Sequence, residues 1–403
     1  MVPTPPVGRG PVDPYRILFP LGVLYAVAGG LLWPLHAAGW IPYPAVAHWM
    51  LMIQGFQHCF ILGFLMTSMP AWLHSEPSRP WELAAATAAM LGVGIFALSG
   101  QVLGVQLGYG ATLVLVVSMA IRRVRRSTAP PPEEFLLVGF GLLLGFAGTF
   151  AAAAQALGVW SEPIPRFGLR LIWMGMVLSV VLGVGGLLVP TFTSMKGPLV
   201  IPGIAKPHER KPRRLLYAGV ALAMLASLLL EAAGHGPAGG ILRAVTGTAV
   251  LLLVWKLYRL PGRNDLLSFF LWSSGWMILA GLWLMALTPA LLLGAHVLFL
   301  GGFGALTAGT ATRVVVRHGG YPLVEEGKVL RPAMAGLLGA ALLARLLAEL
   351  WPEARGALLA GSGSVWALGW VVWGAGAAPR LLRRSGNPSR SATLPVTRSM
   401  PPS

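Results

Sequence analysis

The feature that most constrains this chain is a succession of apolar stretches, each long enough to cross a lipid bilayer as a helix. Of its 403 residues, 56% are apolar and only 11% are charged, against about 25% charged in a typical soluble protein. Roughly 20 apolar residues in a helix cross a hydrocarbon core of about 30 Å. The sequence therefore predicts an all-α, polytopic integral membrane helix bundle and excludes a water-soluble enzyme.

Charged and proline-rich breaks divide the chain into twelve such segments. They are predicted at 16–38, 44–69, 82–100, 103–121, 135–158, 168–190, 215–234, 239–257, 266–287, 290–312, 332–350 and 356–378. We expect one transmembrane domain over 16–380, with a short N-terminal segment at 1–15 before it. The Ser-, Pro- and Arg-rich tail at 381–403 is predicted to be disordered.

The basic residues give an orientation. With twelve segments, both termini and every even-numbered loop lie on one side, and 25 of the 30 Lys and Arg lie there. The exceptions are Arg166, Arg170, Arg243, Arg345 and Arg355. The positive-inside rule then predicts that both termini are cytoplasmic, in a bacterial inner membrane. The net charge of +17 is thus an orientation signal, so we expect the lipid bilayer as a partner and no nucleic acid.

Four side chains on segments two and ten are candidate metal ligands. His48 and His296 lie in the outer third of the predicted membrane, Met52 lies one turn after His48, and His58 lies near mid-membrane. Neutral imidazole binds haem iron, copper or zinc, and a thioether binds copper(I). Polar groups at bilayer depth are costly unless they face a cofactor or a cavity. The alternatives are an interhelical hydrogen bond for His58 and simple packing for Met52.

Other polar features give no catalytic assignment. Arg345 and Glu349, four residues apart on segment eleven, are expected to pair and neutralise each other. The sequence has no His-His pair, no C-x-x-C-H haem attachment, no H-E-x-x-H and no P-loop. These motifs define known metal and nucleotide chemistries. We therefore assign no catalytic residue, and whether the protein is an enzyme stays open.

Three motifs carry a resemblance to a known family. The first starts at His48 and ends in G-F-L-M-T-S-M-P-A-W at 63–72, the second is L-V-P-T-F-T at 188–193, and the third runs from H-V-L-F-L-G-G-F-G at 296–304 to Pro322. Together they resemble the NnrS family, which comprises haem- and copper-containing twelve-helix membrane proteins of the bacterial nitric oxide response. The family's first motif opens H-x-H-E-M, but Met50 and Leu51 stand at its second histidine and its glutamate.

The resemblance implies a site. His48, Met52, His296, Arg313 and His318 match positions of the family motifs. It implies a haem held by His48 and His296, with copper as a second metal. It also implies contact of Arg313 and His318, at the cytoplasmic end, with a haem propionate, a phosphate or a lipid head group. For Arg313 a snorkelling membrane anchor is the alternative.

The expected function is therefore capture of nitric oxide at a metal centre, with a redox partner, in nitric oxide response or tolerance. Two other classes stay open. Twelve helices with cytoplasmic termini is a common layout of secondary transporters, although the sequence has almost no mid-membrane acidic residue and no clear repeat between its halves. The third class is a structural or assembly partner of a respiratory membrane complex.

Overall fold

The computed structural model describes residues 12–127, 130–162, 164–193 and 207–383. These ranges contain no strand and twelve helices long and apolar enough to cross a membrane. We number them α1 to α12: Tyr15–Ala37, Ala45–Trp72, Pro80–Leu98, Val102–Arg126, Phe135–Ala156, Arg166–Phe192, Arg210–Ala232, Gly236–Val254, Leu266–Leu287, Leu291–His318, Pro332–Leu350 and Pro352–Leu382. The predicted fold class is confirmed.

Each predicted segment overlaps one helix, and the main differences lie at basic ends. Helix α4 continues to Arg126 and α10 to His318, because arginines in a last helical turn extend to the interface and favour the helix C-terminus. Most of the predicted N-terminal segment and nearly all of the predicted disordered tail lie outside the described residues.

Three helices form the centre of the bundle. In α2 and α6, 89% of the most apolar eighteen residues are buried, and in α10 67%, whereas the other nine described spans have 28–56%. The central helices are the second, sixth and tenth in the chain. Three spans thus lie between each central helix and the next in chain order.

The remaining helices surround this centre in chain order. Helix α12 packs on both α11 and α1 and closes the ring. Trp366 of α12 donates from its indole N–H to the carbonyl oxygen of Ala26 on α1, 3.1 Å away. Gly30 and Gly363 let the two backbones touch, since a Cβ at Gly30 would lie 2.7 Å from the Gly363 carbonyl oxygen. The ring fixes α1 against α2 and so positions the start of α2.

The central helices are not regular α-helices. Each contains a stretch of π-helix: Met50–Gln57 in α2, Leu171–Val177 in α6 and Val297–Gly304 in α10. π-Helical turns are rare and are frequently found at functional sites; a shorter stretch, Val250–Val254, ends the peripheral helix α8. In α2 the stretch begins two residues after His48, and in α10 it begins directly after His296.

Both ends of the described chain lie on one side of the bundle. The Arg16 guanidinium donates to the carbonyl oxygens of Arg380 and Leu381, at 3.1 and 2.8 Å. We call this the terminal side and the opposite side the far side. Ion pairs also join helix ends on the terminal side, as between Arg123 and Glu82 at 2.9 Å.

Candidate cofactor site

His48 lies in the first turns of α2, on the far side, and its ring is fixed by α1. Its Nδ1 is 2.9 Å from the carbonyl oxygen of Gly29 and 3.2 Å from the indole nitrogen of Trp33. A carbonyl oxygen only accepts, whereas the Trp33 indole N–H donates to the same Nδ1, so the two contacts require opposite protonation states of Nδ1. The shorter contact, to Gly29, corresponds to the tautomer with its proton on Nδ1. The Nε2 atom then presents a lone pair.

His296 has the same arrangement on α10. It is the sixth residue of that helix, and its Nδ1 donates to the carbonyl oxygen of Leu292, 2.7 Å away. In the described part of the chain, Nε2 of neither His48 nor His296 has a hydrogen bond, and both rings are half-buried. Metal-binding histidines usually donate their other ring N–H to a carbonyl or a carboxylate in this way.

The two imidazoles lie at nearly the same depth in the bundle. A hydrogen bond of 3.1 Å from Gln57 Nε2 to Thr307 Oγ1 joins α2 to α10. His48 precedes Gln57 by nine residues and His296 precedes Thr307 by eleven. At about 1.5 Å per residue, both rings lie roughly 14–16 Å from this bond toward the far side.

A buried arginine, which the sequence did not mark as a site residue, accompanies the two histidines. Arg345 lies on α11, which packs against the first turns of α10, Leu291–His296. Its helix packs beside α10, where Leu342 lies against Gly301. The predicted pair is confirmed, since its Nη1 is 2.7 Å from Glu349 Oε1. Sequence reasoning treated Arg345 as neutralised by this pair, and only the packing of α11 shows its position beside the imidazoles.

Met52 borders the same part of α1 as His48. Its Sδ lies 2.9 Å from the position that a Cβ on Gly29 would occupy, so the absence of a side chain at Gly29 makes room for the thioether. The carbonyl of Gly29 is the group that binds His48. The structure thus places a thioether and an imidazole against one glycine.

His58 is directed toward a different helix. Its Nε2 is 2.7 Å from Thr112 Oγ1 on α4, and its ring lies 4.5 Å from that of Tyr109, measured between centroids. The interhelical hydrogen bond considered from the sequence is therefore present. Ten residues separate His58 from His48, or about 15 Å along the helix. A metal-binding role for His58 stays a prediction.

Arg313 and His318 lie at the terminal end of α10. Arg313 is buried, forms an ion pair with Glu326 and lies 4.7 Å over the ring of Phe192. His318 is exposed, with its ring 6.1 Å from that of Tyr15. Arg313 is 17 residues from His296, about 25 Å along the helix. These two side chains are thus not brought together with His48 and His296.

The chemistry of the donor set favours a cofactor with its own equatorial ligands. Within the described ranges, no three His, Cys, Asp or Glu side chains converge as a metal site. A structural zinc site takes four protein ligands, whereas haem iron takes only axial ligands from the protein. Two imidazoles on facing helices of a bundle fit haem.

The comparison with known families agrees with the motifs. The family model described as "NnrS protein" matches residues 12–385. This match includes all twelve described spans and every candidate ligand. No curated protein matches the chain.

Proposed function

Because the chain belongs to the NnrS family, we propose that it is a bacterial inner-membrane protein that holds haem between α2 and α10 and acts in nitric oxide response or tolerance. His48 and His296 would hold the haem iron through their Nε2 atoms. The observation that supports this most strongly is the pair of Nε2 atoms without hydrogen bonds, at one depth on adjoining central helices.

The residues around the pair have defined tasks in this proposal. The carbonyl oxygens of Gly29 and Leu292 accept the Nδ1 protons and so keep each Nε2 free to bind. Arg345 adds a positive charge on the helix that packs against the first turns of α10. When bound, haem would supply an iron at which one of the two imidazoles could be exchanged for a diatomic ligand such as nitric oxide. Nitric oxide is small and apolar, so it enters such a site from the bilayer without a polar pocket.

Copper is a second part of the proposal and rests on Met52. A thioether together with an imidazole suits copper(I), and Met52 lies with His48 against Gly29. Because Nδ1 of His48 is bonded to Gly29, its Nε2 could bind copper only in place of the haem iron. Metal analysis of the purified protein tests this part separately from haem.

The proposed orientation places the terminal side in the cytoplasm. Its support is the excess of Lys and Arg in the termini and even-numbered loops. The far side, with His48 and His296, then lies toward the periplasm.

Ion-coupled transport finds no support in the described ranges. There, no acidic residue lies more than two residues inside the end of a span. Proton and sodium carriers use ionisable groups within the membrane for coupling. The haem proposal therefore stands without a transport role.

Absorption spectroscopy with metal analysis tests the proposal. We expect protein purified in mild detergent to show a Soret band, and the His48→Ala/His296→Ala double variant to lose it. The matched control is His36→Ala/His235→Ala, which removes two histidines from the far-side ends of α1 and α7 and should keep the band. Colourless, metal-free protein from cells with ample haem, or an unchanged band in the first variant, would overturn the proposal.

A further inference from the structure

A second feature of the bundle is a cavity at the junction of its central helices. The cavity has a volume of about 60 Å³ and lies between α1, α2, α6 and α10. Its walls include Phe60 and Phe64 of α2, Val181 and Leu188 of α6, and Leu306 and Ala311 of α10. It extends from the level of Gln57 toward the terminal side, away from His48 and His296.

The cavity follows from the sizes of the facing side chains. Helix α2 contributes phenyl rings, whereas α6 and α10 contribute short residues such as Val181, Gly185 and Ala311. Gly185 cannot take a larger side chain, since its Cβ would lie 1.9 Å from the ring of Trp255. The packing of Trp255 against α6 therefore restricts this position of the wall to glycine.

The accessible wall of the cavity is nearly all apolar. Gln57 and Thr307 are bonded to each other, and Thr310 is the other polar side chain that lines the cavity. A buried water needs two to four polar partners, and apolar cavities in proteins stay dry and bind xenon or benzene. We therefore expect this cavity to be dry.

Its size restricts the occupant. An engineered apolar cavity of about 150 Å³ binds benzene or xenon, so a cavity of about 60 Å³ suits a ligand smaller than benzene. A porphyrin is many times larger. The class of ligand that fits both the volume and the lining is a small apolar gas.

We propose that this cavity is an internal docking site for apolar gas molecules that dissolve in the bilayer. Naming nitric oxide as the gas rests on the proposed function, whereas the gas site itself rests only on the cavity. Gln57 is nine residues from His48, so gas in the cavity lies about 14 Å or more from the imidazoles. The cavity then holds gas near the candidate cofactor site.

Xenon is the probe for this site. We expect crystals of the full chain under xenon pressure to show an anomalous peak between Phe60, Val181 and Ala311. Ala311→Leu should remove the peak by filling the cavity, and Ala311→Val should weaken it. The matched control is Ala88→Leu, which adds the same group at an exposed position on α3 and should leave the peak unchanged.

The possible results separate the two proposals. Absence of xenon in the wild-type cavity, a peak that persists in Ala311→Leu, or density for a detergent or acyl chain there would each overturn the gas site. The measurement does not depend on haem, because the cavity lining excludes both histidines. The wild-type protein could show the xenon peak while the His48→Ala/His296→Ala variant keeps its Soret band. That combination would support the gas site and contradict the haem proposal.

Discussion

At the scale of single residues, the candidate site consists of side chains whose orientation is set by backbone groups. His48 and His296 could be predicted because an imidazole in the outer third of an apolar helix is conspicuous and matches a family motif. The place of Arg345 in the candidate site could not be predicted. Its ion pair with Glu349, four residues away, accounts for an arginine at this position without any contact to other helices. The hydrogen bond of His48 to Gly29 depends on how α1 packs against α2, and that of His296 to Leu292 depends on the rotamer of the histidine. The sequence shows neither.

The charge on Arg345 should influence a haem bound beside it. A nearby positive charge stabilises the reduced form, so Arg345→Gln should lower the midpoint potential, by an amount on the order of tens of millivolts for partly buried charges. Glu349→Gln should raise it. Arg166→Gln is the control, because that side chain is 76% exposed and its charge is screened by salt. Spectroelectrochemical titration measures the shifts, and equal potentials in all four proteins would contradict this role.

The hydrogen bond between His58 and Thr112 should contribute to stability. Thr112→Val removes the acceptor and leaves the imidazole buried without a partner, a loss of about 1–3 kcal/mol. Thr149→Val is the matched control, because that buried hydroxyl bonds only the carbonyl of Gly145 in its own helix. We expect a lower apparent melting temperature by tryptophan fluorescence for the first variant and little change for the second. Equal melting temperatures would show that the bond is not stabilising.

At the scale of helices, the number and limits of the spans were predictable, but their arrangement was not. Length and apolar composition define a span whatever surrounds it. Which spans are central depends on contacts between distant segments, and α2 is no more apolar than the peripheral α5. The π-helical stretches after His48 and His296 likewise have no simple sequence signal.

The close approach of α1 and α12 offers a test of the ring. A Cβ at Gly363 would lie 2.2 Å from the carbonyl oxygen of Gly30, so Gly363→Ala must push the helices apart, at a cost of about 1–3 kcal/mol. Gly361→Ala, two residues away, meets nothing within 4 Å and should stabilise the helix by about 0.5–1 kcal/mol. Opposite shifts in melting temperature are expected. A neutral Gly363→Ala would show that the two helices are not in contact.

At the scale of the whole molecule, the bundle has three central helices, with three spans between each and the next in chain order. Basic residues on the terminal side also join helix ends: Arg210 and Arg213 of α7 bind Glu133 and Glu134 before α5, each at 2.6 Å. The sequence predicts the side on which these arginines lie, but not partners almost 80 residues away.

The orientation can be measured with reporter fusions. If the terminal side is cytoplasmic, a green fluorescent protein fused after the last residue should fluoresce. Alkaline phosphatase should be active when fused after Trp351, between α11 and α12, and inactive when fused after Arg126, at the end of α4. The reverse pattern of phosphatase activity would contradict the proposed orientation.

Chemical rescue tests most directly whether the two imidazoles bind iron. His48→Ala and His296→Ala, purified separately, should each show a weakened or displaced Soret band, and imidazole added during haem loading should restore the wild-type spectrum because it replaces the missing side chain. Imidazole should have no such effect on Arg345→Gln. An unaltered Soret band in both single variants before imidazole is added would show that neither side chain holds the haem.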